Sequence, residues 1–279
     1  MDKQFLSPAE ISESYISTGC KKADTPSYKL LILGILAGAF IAFASQGSNV
    51  AIHTIASVGL GKALAGALFA TGLMLVLVAG GELFTGNALI VISCAVGRNK
   101  WSGLLKNWLF VYIGNFIGSV LIAVLVIYSG QLNFSSGLLG GFTIKIAVYK
   151  TNLSFGSALI LGVLCNWLVC LAVWMATAAK DISGKLMAIF FPIWLFITSG
   201  FEHSIANMYY ITAGILAKSH SVWVDAAMNM GVTKAKIDAL NWMTMMTKNL
   251  IPVTAGNIVG GTVFVGFAYW LVYLKKKEN

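Results

Sequence analysis

Two apolar stretches of this chain are too long for one membrane crossing, and each is interrupted by a polar motif rich in small residues. One covers about residues 63–96 and contains Gly80-Gly81-Glu82-Leu83-Phe84-Thr85-Gly86-Asn87. The other covers about 186–217 and contains Ser199-Gly200-Phe201-Glu202-His203-Ser204-Ile205-Ala206-Asn207. A single helix needs about 20 apolar residues to cross a bilayer. Irregular backbone at that depth survives only where protein buries it or a cavity solvates it. The two stretches therefore predict broken helices built around something polar.

Four uninterrupted apolar stretches accompany them, at about 30–50, 104–128, 155–179 and 250–274. Only 10% of the 279 residues are charged, against about 25% in an ordinary soluble domain. That is too few to cover a water-soluble surface. The expected class is an all-α membrane protein with six transmembrane helices, the second and fifth broken. Residues 1–28 form an N-terminal segment, 29–275 the channel-sized membrane domain and 276–279 a short tail. The first 28 residues lack the apolar region of a signal peptide. Within them Ser7-Pro8-Ala9-Glu10 has the pattern of a capped helix start. A short amphipathic helix over 7–22 is expected at the membrane surface or pore mouth. The outer segments 130–154 and 218–249 are expected to carry short surface helices.

The net charge of +9 would suggest nucleic acid in a soluble protein. Here Lys and Arg sit in short stretches between apolar blocks, which reads as membrane orientation or attraction to anionic lipid. An anionic substrate is a further option, and no nucleic-acid partner is expected. With both termini on one side, 12 of the 19 basic residues fall there: Lys3, Lys21, Lys22, Lys29, Arg98, Lys100, Lys106, Lys180, Lys185, Lys275, Lys276 and Lys277. The expectation is a multi-pass protein of the cell (plasma or inner) membrane with cytoplasmic termini. Cys20, Cys94, Cys165 and Cys170 form no CxxC pair and read as small buried hydrophobes, so no metal, cofactor or disulfide is implied.

The halves of the chain echo each other. Gly114-Asn115-Phe116-Ile117-Gly118 matches Gly256-Asn257-Ile258-Val259-Gly260, and both are GxxxG patterns that let helices approach closely. Glu82 and Asn87 recur as Glu202 and Asn207 at the same separation of five, and Gly34 to Ala44 echoes Gly162 to Ala172. Three spans per half force opposite topologies, which makes an inverted repeat with the breaks facing each other.

Of ten acidic residues only Glu82 and Glu202 fall within spans, and of three histidines only His203 does. Charge at mid-bilayer costs at least ~2.5 kcal/mol. Each carboxylate can accept backbone N–H groups freed at the break, or handle substrate or protons directly. His203 can face the pore, where Glu202 would raise its basicity, or make a buried structural hydrogen bond. Thr85 offers a pore-facing hydroxyl or forms a local turn. Asn166 is interhelical glue or a pathway group. Lys150 is an exposed charge or an anion attractor.

Val78-Ala79-Gly80-Gly81-Glu82-Leu83-Phe84-Thr85-Gly86-Asn87 closely resembles a signature of the formate/nitrite transporter family. So does Gly162-Val163-Leu164-Cys165-Asn166-Trp167-Leu168-Val169-Cys170-Leu171-Ala172, and the 200–208 motif matches the family's second break. The resemblance spans essentially the whole chain and is nearest to the hydrosulfide channel branch. It implies an aquaporin-like fold assembled as a homopentamer. It further implies a substrate pathway of His203, Thr85, Lys150, Asn166 and Glu202, with constrictions at Phe69, Leu73, Leu83 and Phe196. Glu82, Asn87 and Asn207 would support the breaks, and the N-terminal helix would gate the cytoplasmic side.

The expected function is transport of small monovalent anions, hydrosulfide first and formate and nitrite next, with transient protonation at His203. Each pKa unit below ambient pH costs about 1.4 kcal/mol, so a carboxylate titrating about 3 units below neutral needs roughly 4 kcal/mol. Hydrosulfide titrates near neutrality and needs almost none. An aquaporin-like channel for small neutral solutes is the alternative. A membrane redox enzyme would usually need paired histidine ligands, whereas one intramembrane histidine is present, and no catalytic role is expected.

Overall fold

The computed structural model describes residues 5–275. Lys3, Lys276 and Lys277, and the predicted 276–279 tail, lie outside the described residues. The N-terminal helix α1 (Pro8–Asp24) starts on the predicted capping box: the Ser7 backbone N–H donates to Glu10 Oε2 at 2.7 Å, and Ser7 Oγ accepts from the Glu10 N–H at 3.5 Å. Helices α2 (Ser27–Ile52), α3 (Val58–Gly80), α4 (Gly86–Ala95) and α5 (Trp101–Tyr128) complete the first half. The second half comprises α6 (Leu138–Thr151), α7 (Phe155–Ala178), α8 (Ile182–Thr198), α9 (Ser204–Ala217) and α12 (Trp242–Tyr273), with α10 (Ser221–Asn229) and α11 (Lys234–Asp238) before the last. Five helices, α2, α3, α5, α7 and α12, are long and apolar enough to cross a membrane, and α4 and α8 are shorter apolar pieces.

The breaks fall at 81–85 and 199–203, between α3 and α4 and between α8 and α9. Each opens on a glycine in the left-handed region, Gly80 at φ 98° and Gly200 at φ 73°. An L-residue with a Cβ is strained there, so glycine is what lets the helix turn off its axis.

The repeat is visible in the packing. Helix α2 crosses α5 as α7 crosses α12, and α3 lies against α8. Glycine makes the crossings possible. A Cβ on Gly118 would sit 2.0 Å from the Ile35 carbonyl oxygen, and one on Gly256 would sit 2.1 Å from the Leu159 carbonyl oxygen. The asparagines inside the two GxxxG motifs have a second role that the sequence reading missed. Asn115 Nδ2 donates to the carbonyls of Gly34 (2.8 Å) and Glu82 (2.9 Å), while its Oδ1 accepts the Phe84 N–H (3.0 Å). Asn257 Nδ2 donates to the carbonyls of Gly162 (2.8 Å) and Glu202 (3.0 Å), and its Oδ1 accepts the Ser204 N–H (2.9 Å). One side-chain amide thus ties three helices and satisfies one N–H and one carbonyl of each break, while the Glu82 and Glu202 N–H groups donate to the Leu33 (3.1 Å) and Leu161 (3.3 Å) carbonyls.

Two expectations are corrected here. The carboxylates of Glu82 and Glu202 are not the acceptors of the broken backbone: the asparagine amides, the Leu33 and Leu161 carbonyls and the His203 ring take that role. Helix α6, expected at the surface, is a packed part of the core: Leu139, Ile144 and Ala147 are fully buried, and a Cβ on Gly214 would lie 2.2 Å from Ala147 Cβ. It is the counterpart of α1 in the second half.

Gly118→Val and Gly256→Val should each lower the melting temperature of the detergent-solubilised protein, because the neighbour is rigid backbone and overpacking costs about 1–3 kcal/mol. Gly156→Ala, where a Cβ meets nothing within 4 Å, should not lower the melting temperature and should raise it by no more than about 3 °C, given a helix gain of at most ~1 kcal/mol.

Candidate functional site

The two breaks meet at one buried polar contact. Thr85 Oγ1 and His203 Nε2 are 2.9 Å apart, and both residues are essentially inaccessible. His203 is also the N-cap of α9: its Nδ1 accepts the Ala206 N–H at 3.1 Å. An Nδ1 that accepts carries a lone pair, so the neutral ring bears its proton on Nε2 and donates it to the threonine oxygen. The Thr85 hydroxyl hydrogen is then free to point elsewhere. Thr85 itself is held through its carbonyl, which accepts from Asn166 Nδ2 at 3.1 Å. Asn166 also donates to the Asn257 carbonyl at 2.7 Å, while its buried Oδ1 has no partner among the described residues. It joins α7 to the first break and to α12.

Apolar side chains flank this contact. Phe69 and Phe196 meet edge to face with centroids 5.7 Å apart, and Phe196 lies 6.0 Å from the His203 ring. Leu73 and Leu83 line a small cavity of about 40 Å³ together with Lys22 and Tyr15 of α1. All four expected constriction residues are buried. At the other mouth a cavity of about 670 Å³ is lined by Lys62, Lys145, Lys150, Glu202 and Tyr210 among others. The site is therefore open toward Lys150 and narrow toward α1.

A matching ion cluster stands at each mouth. Lys150 Nζ donates to Glu202 Oε1 at 2.9 Å. Asn207 Nδ2 donates to Glu202 Oε2 (2.6 Å) and to Asn249 Oδ1 (2.7 Å), and Asn249 Nδ2 donates to the Lys150 carbonyl (2.9 Å). In the first half Lys22 Nζ donates to both oxygens of Glu82 at 2.7 Å. Asn87 Nδ2 donates to Glu82 Oε2 (2.7 Å) and Asn107 Oδ1 (2.8 Å), and Asn107 Nδ2 donates to the Lys22 carbonyl (3.0 Å). The Glu202 carboxylate is thus engaged by Lys150 and two asparagines, whereas the imidazole bonds to Thr85 and Ala206. No hydrogen bond therefore joins the Glu202 carboxylate to the His203 ring.

Lys22, Asn107 and Asn249 escaped the sequence reading, although a signal was present. Asn107 precedes Asn115 by eight residues, as Asn249 precedes Asn257, and Lys22 precedes Gly34 by twelve, as Lys150 precedes Gly162. Eight residues is just over two helical turns, so both amides lie on one face.

The Lys150–Glu202 pair is the more buried, with side chains 12% and 2% exposed against 28% and 13% for Lys22–Glu82. Removing one partner of a buried pair strands the other charge and costs about 3–5 kcal/mol. Lys150→Met should therefore lower thermal stability in detergent by more than Lys22→Met, and the double variant Lys150→Met/Glu202→Gln should recover part of the loss.

A sequence model of the formate/nitrite transporter family matches residues 9–271. The chain is 37% identical to the formate channel FocA of Escherichia coli (strain K12), over 99% of this chain and 97% of that protein. It is 38% identical to the formate channel BtFdhC of Bacillus thuringiensis, over 99% and 98%. Among solved structures it resembles a pentameric formate channel with formate bound at a TM-score of 0.78 and 38% identity, covering 89% of this chain and 98% of that one. An FNT family ion channel gives a TM-score of 0.78 at 28% identity, covering 94% and 98%. Over nearly its whole length, in fold and in sequence, this chain belongs to the formate/nitrite transporter family.

Proposed function

We propose that the protein is a homopentameric channel of the cell membrane, with cytoplasmic termini, that passes small monovalent anions past the Thr85–His203 contact. The observation that carries this reading is that contact itself: a buried donor pair set between apolar side chains, with a wide basic vestibule on one side. Pentameric assembly is supported by the similar solved channel, and the orientation by the 12-to-7 split of basic residues.

Formate leads as the physiological anion, because the similar named channels are formate channels at 37–38% identity over nearly the full chain. Hydrosulfide, expected first on protonation cost, titrates near neutrality and is an easy second passenger, with nitrite as a third.

A bare anion in a dry slit pays a large desolvation penalty, so it crosses paired with a proton or held by donors. The expected proton donor is His203. A neutral imidazole cannot supply its only proton, and an imidazolium would turn an Nδ1–H against the Ala206 N–H and lose the cap of α9. We therefore infer that His203 works as a neutral Nε2–H donor and that the proton pairing the anion enters from the water side.

In proteoliposomes, His203→Phe removes donor and cap and should cut formate uptake at least tenfold. His203→Asn keeps an amide donor and a strong N-cap, and should retain uptake within about threefold. An Asn variant as inactive as the Phe variant would return proton exchange to the imidazole. Stopped-flow swelling tests the neutral-solute alternative: formate flux without glycerol flux is expected, and the reverse would overturn the anion reading.

A further inference from the structure

Thr85 stands where the backbone holds itself least well. Helix α4 opens on a tight 3₁₀ turn over Gly86–Ile90, and the Thr85 carbonyl receives the Ala88 N–H only at 3.4 Å. Such turns have poorer hydrogen-bond geometry than an α-helix. Helix α9, which starts at His203, is α-helical from Ser204 onward. A buried carbonyl short of a backbone donor needs one from elsewhere. Two side chains of α7, one helical turn apart, supply it. Asn166 Nδ2 donates to the Thr85 carbonyl at 3.1 Å, and Cys170 Sγ donates to the same oxygen at 3.4 Å. All three residues are fully buried.

Cys170, which reads in the sequence as a small buried hydrophobe, is therefore a donor. Its placement is reinforced from a third helix. A Cβ on Gly261 of α12 would lie 2.6 Å from Asn166 Nδ2 and 2.7 Å from Cys170 Sγ. The bare glycine lets α12 close on both donors and press them toward the carbonyl. The inverted repeat meets the same need from the opposite helix. Ile205 follows Glu202 by three residues, as Thr85 follows Glu82. The Ile205 carbonyl accepts from Ser119 Oγ of α5 at 3.5 Å. Ser119 and Gly261 each stand four residues after the asparagine of their GxxxG motif, and Gly38 and Ala42 follow Gly34 as Asn166 and Cys170 follow Gly162. Donors and small residues have thus changed places between the halves. Two side-chain donors converge behind Thr85, and one behind Ile205.

We propose that Cys170 is a positioning residue for transport: its thiol, with Asn166, clamps the Thr85 carbonyl and so keeps Thr85 Oγ1 within hydrogen-bond reach of His203 Nε2. A thiol is a weak donor. The Asn166 amide supplies the stronger bond, and the thiol fixes the direction of the carbonyl. Once that direction is free, the Thr85 peptide can tilt and carry its hydroxyl away from the imidazole. The inference deepens the anion-channel reading and rests on it for transport, but the Thr85–His203 contact can be read without transport.

The test uses full-length protein in lipid bilayers and proteoliposomes. The ¹⁵N signal of His203 Nε2, assigned by its absence from His203→Asn, reports the bond to Thr85, and initial formate uptake reports transport. Cys170→Ala should move that signal upfield and lower uptake by about twofold to fivefold, the size expected for one weak hydrogen bond. Cys170→Ser keeps a donor on the same carbon and should bring both readouts back near wild type. Cys165→Ala removes an equally buried thiol of the same helix that has no hydrogen-bond partner among the described residues, and should leave both readouts unchanged. An unmoved His203 signal in Cys170→Ala would overturn the clamp. So would a Cys170→Ser variant as impaired as Cys170→Ala, or equal losses in Cys165→Ala, which would mark simple packing. A wild-type protein that carries no formate would sink the transport reading, and the ¹⁵N comparison would still decide the clamp.

Discussion

In a bilayer, backbone that leaves the helical path has no water to bond with, so each break must be satisfied by the protein itself. Here the side chains of Asn115 and Asn257 meet much of that demand, while the Glu82 and Glu202 N–H groups donate to the Leu33 and Leu161 carbonyls of the neighbouring helices. Each asparagine bridges a break and the carbonyl of a glycine on a neighbouring helix, and each sits between the two glycines that let the helices touch. The amide reaches its partners only because the crossing is close, and the crossing is close only because Gly34, Gly118, Gly162 and Gly256 carry no side chain. The rest of the site hangs on this arrangement. It fixes where Thr85 and His203 meet and which way the carboxylates of Glu82 and Glu202 can turn.

With the backbone provided for, the glutamates are released for a different task. Each pairs with a lysine from outside its own broken helix, Lys22 from α1 and Lys150 from α6, and each is braced by two asparagines. The two clusters place compensated charge at either end of a largely apolar passage. The repeat is nonetheless not chemically symmetric. Leu83 occupies the position in the first break that His203 occupies in the second, so one half presents a hydrocarbon and the other an imidazole. The mouths differ as well, since α1 fills one and the other opens into a wide basic cavity.

Much of this was legible in the chain. The breaks show as apolar runs of excess length carrying a glutamate, the helix crossings as paired GxxxG motifs, and the inverted repeat as motifs recurring in the same order. Thr85, His203 and Asn166 stood out as polar groups in apolar surroundings, and the structure brings all three together. Lys22, Asn107 and Asn249 did not stand out, because a lysine or asparagine near a helix end has an ordinary solvated explanation. Only their repeated spacing to Gly34, Gly162, Asn115 and Asn257 marks them, and spacing carries weight once one cluster is known.

The sequence by itself determined that the chain lives in a membrane, that two of its helices break, and which polar residues the breaks contain. Hydropathy and residue type decide these, since they follow from the cost of placing each group in hydrocarbon. Only the tertiary structure decided which partner each polar group takes. Glu202 is next to His203 in sequence, yet its carboxylate turns to Lys150, fifty-two residues away, while the imidazole turns to Thr85 across the break. Neighbouring residues at a helix start point in different directions, so adjacency along the chain says little about contact. The direction each side chain takes is set by the helices that close around it.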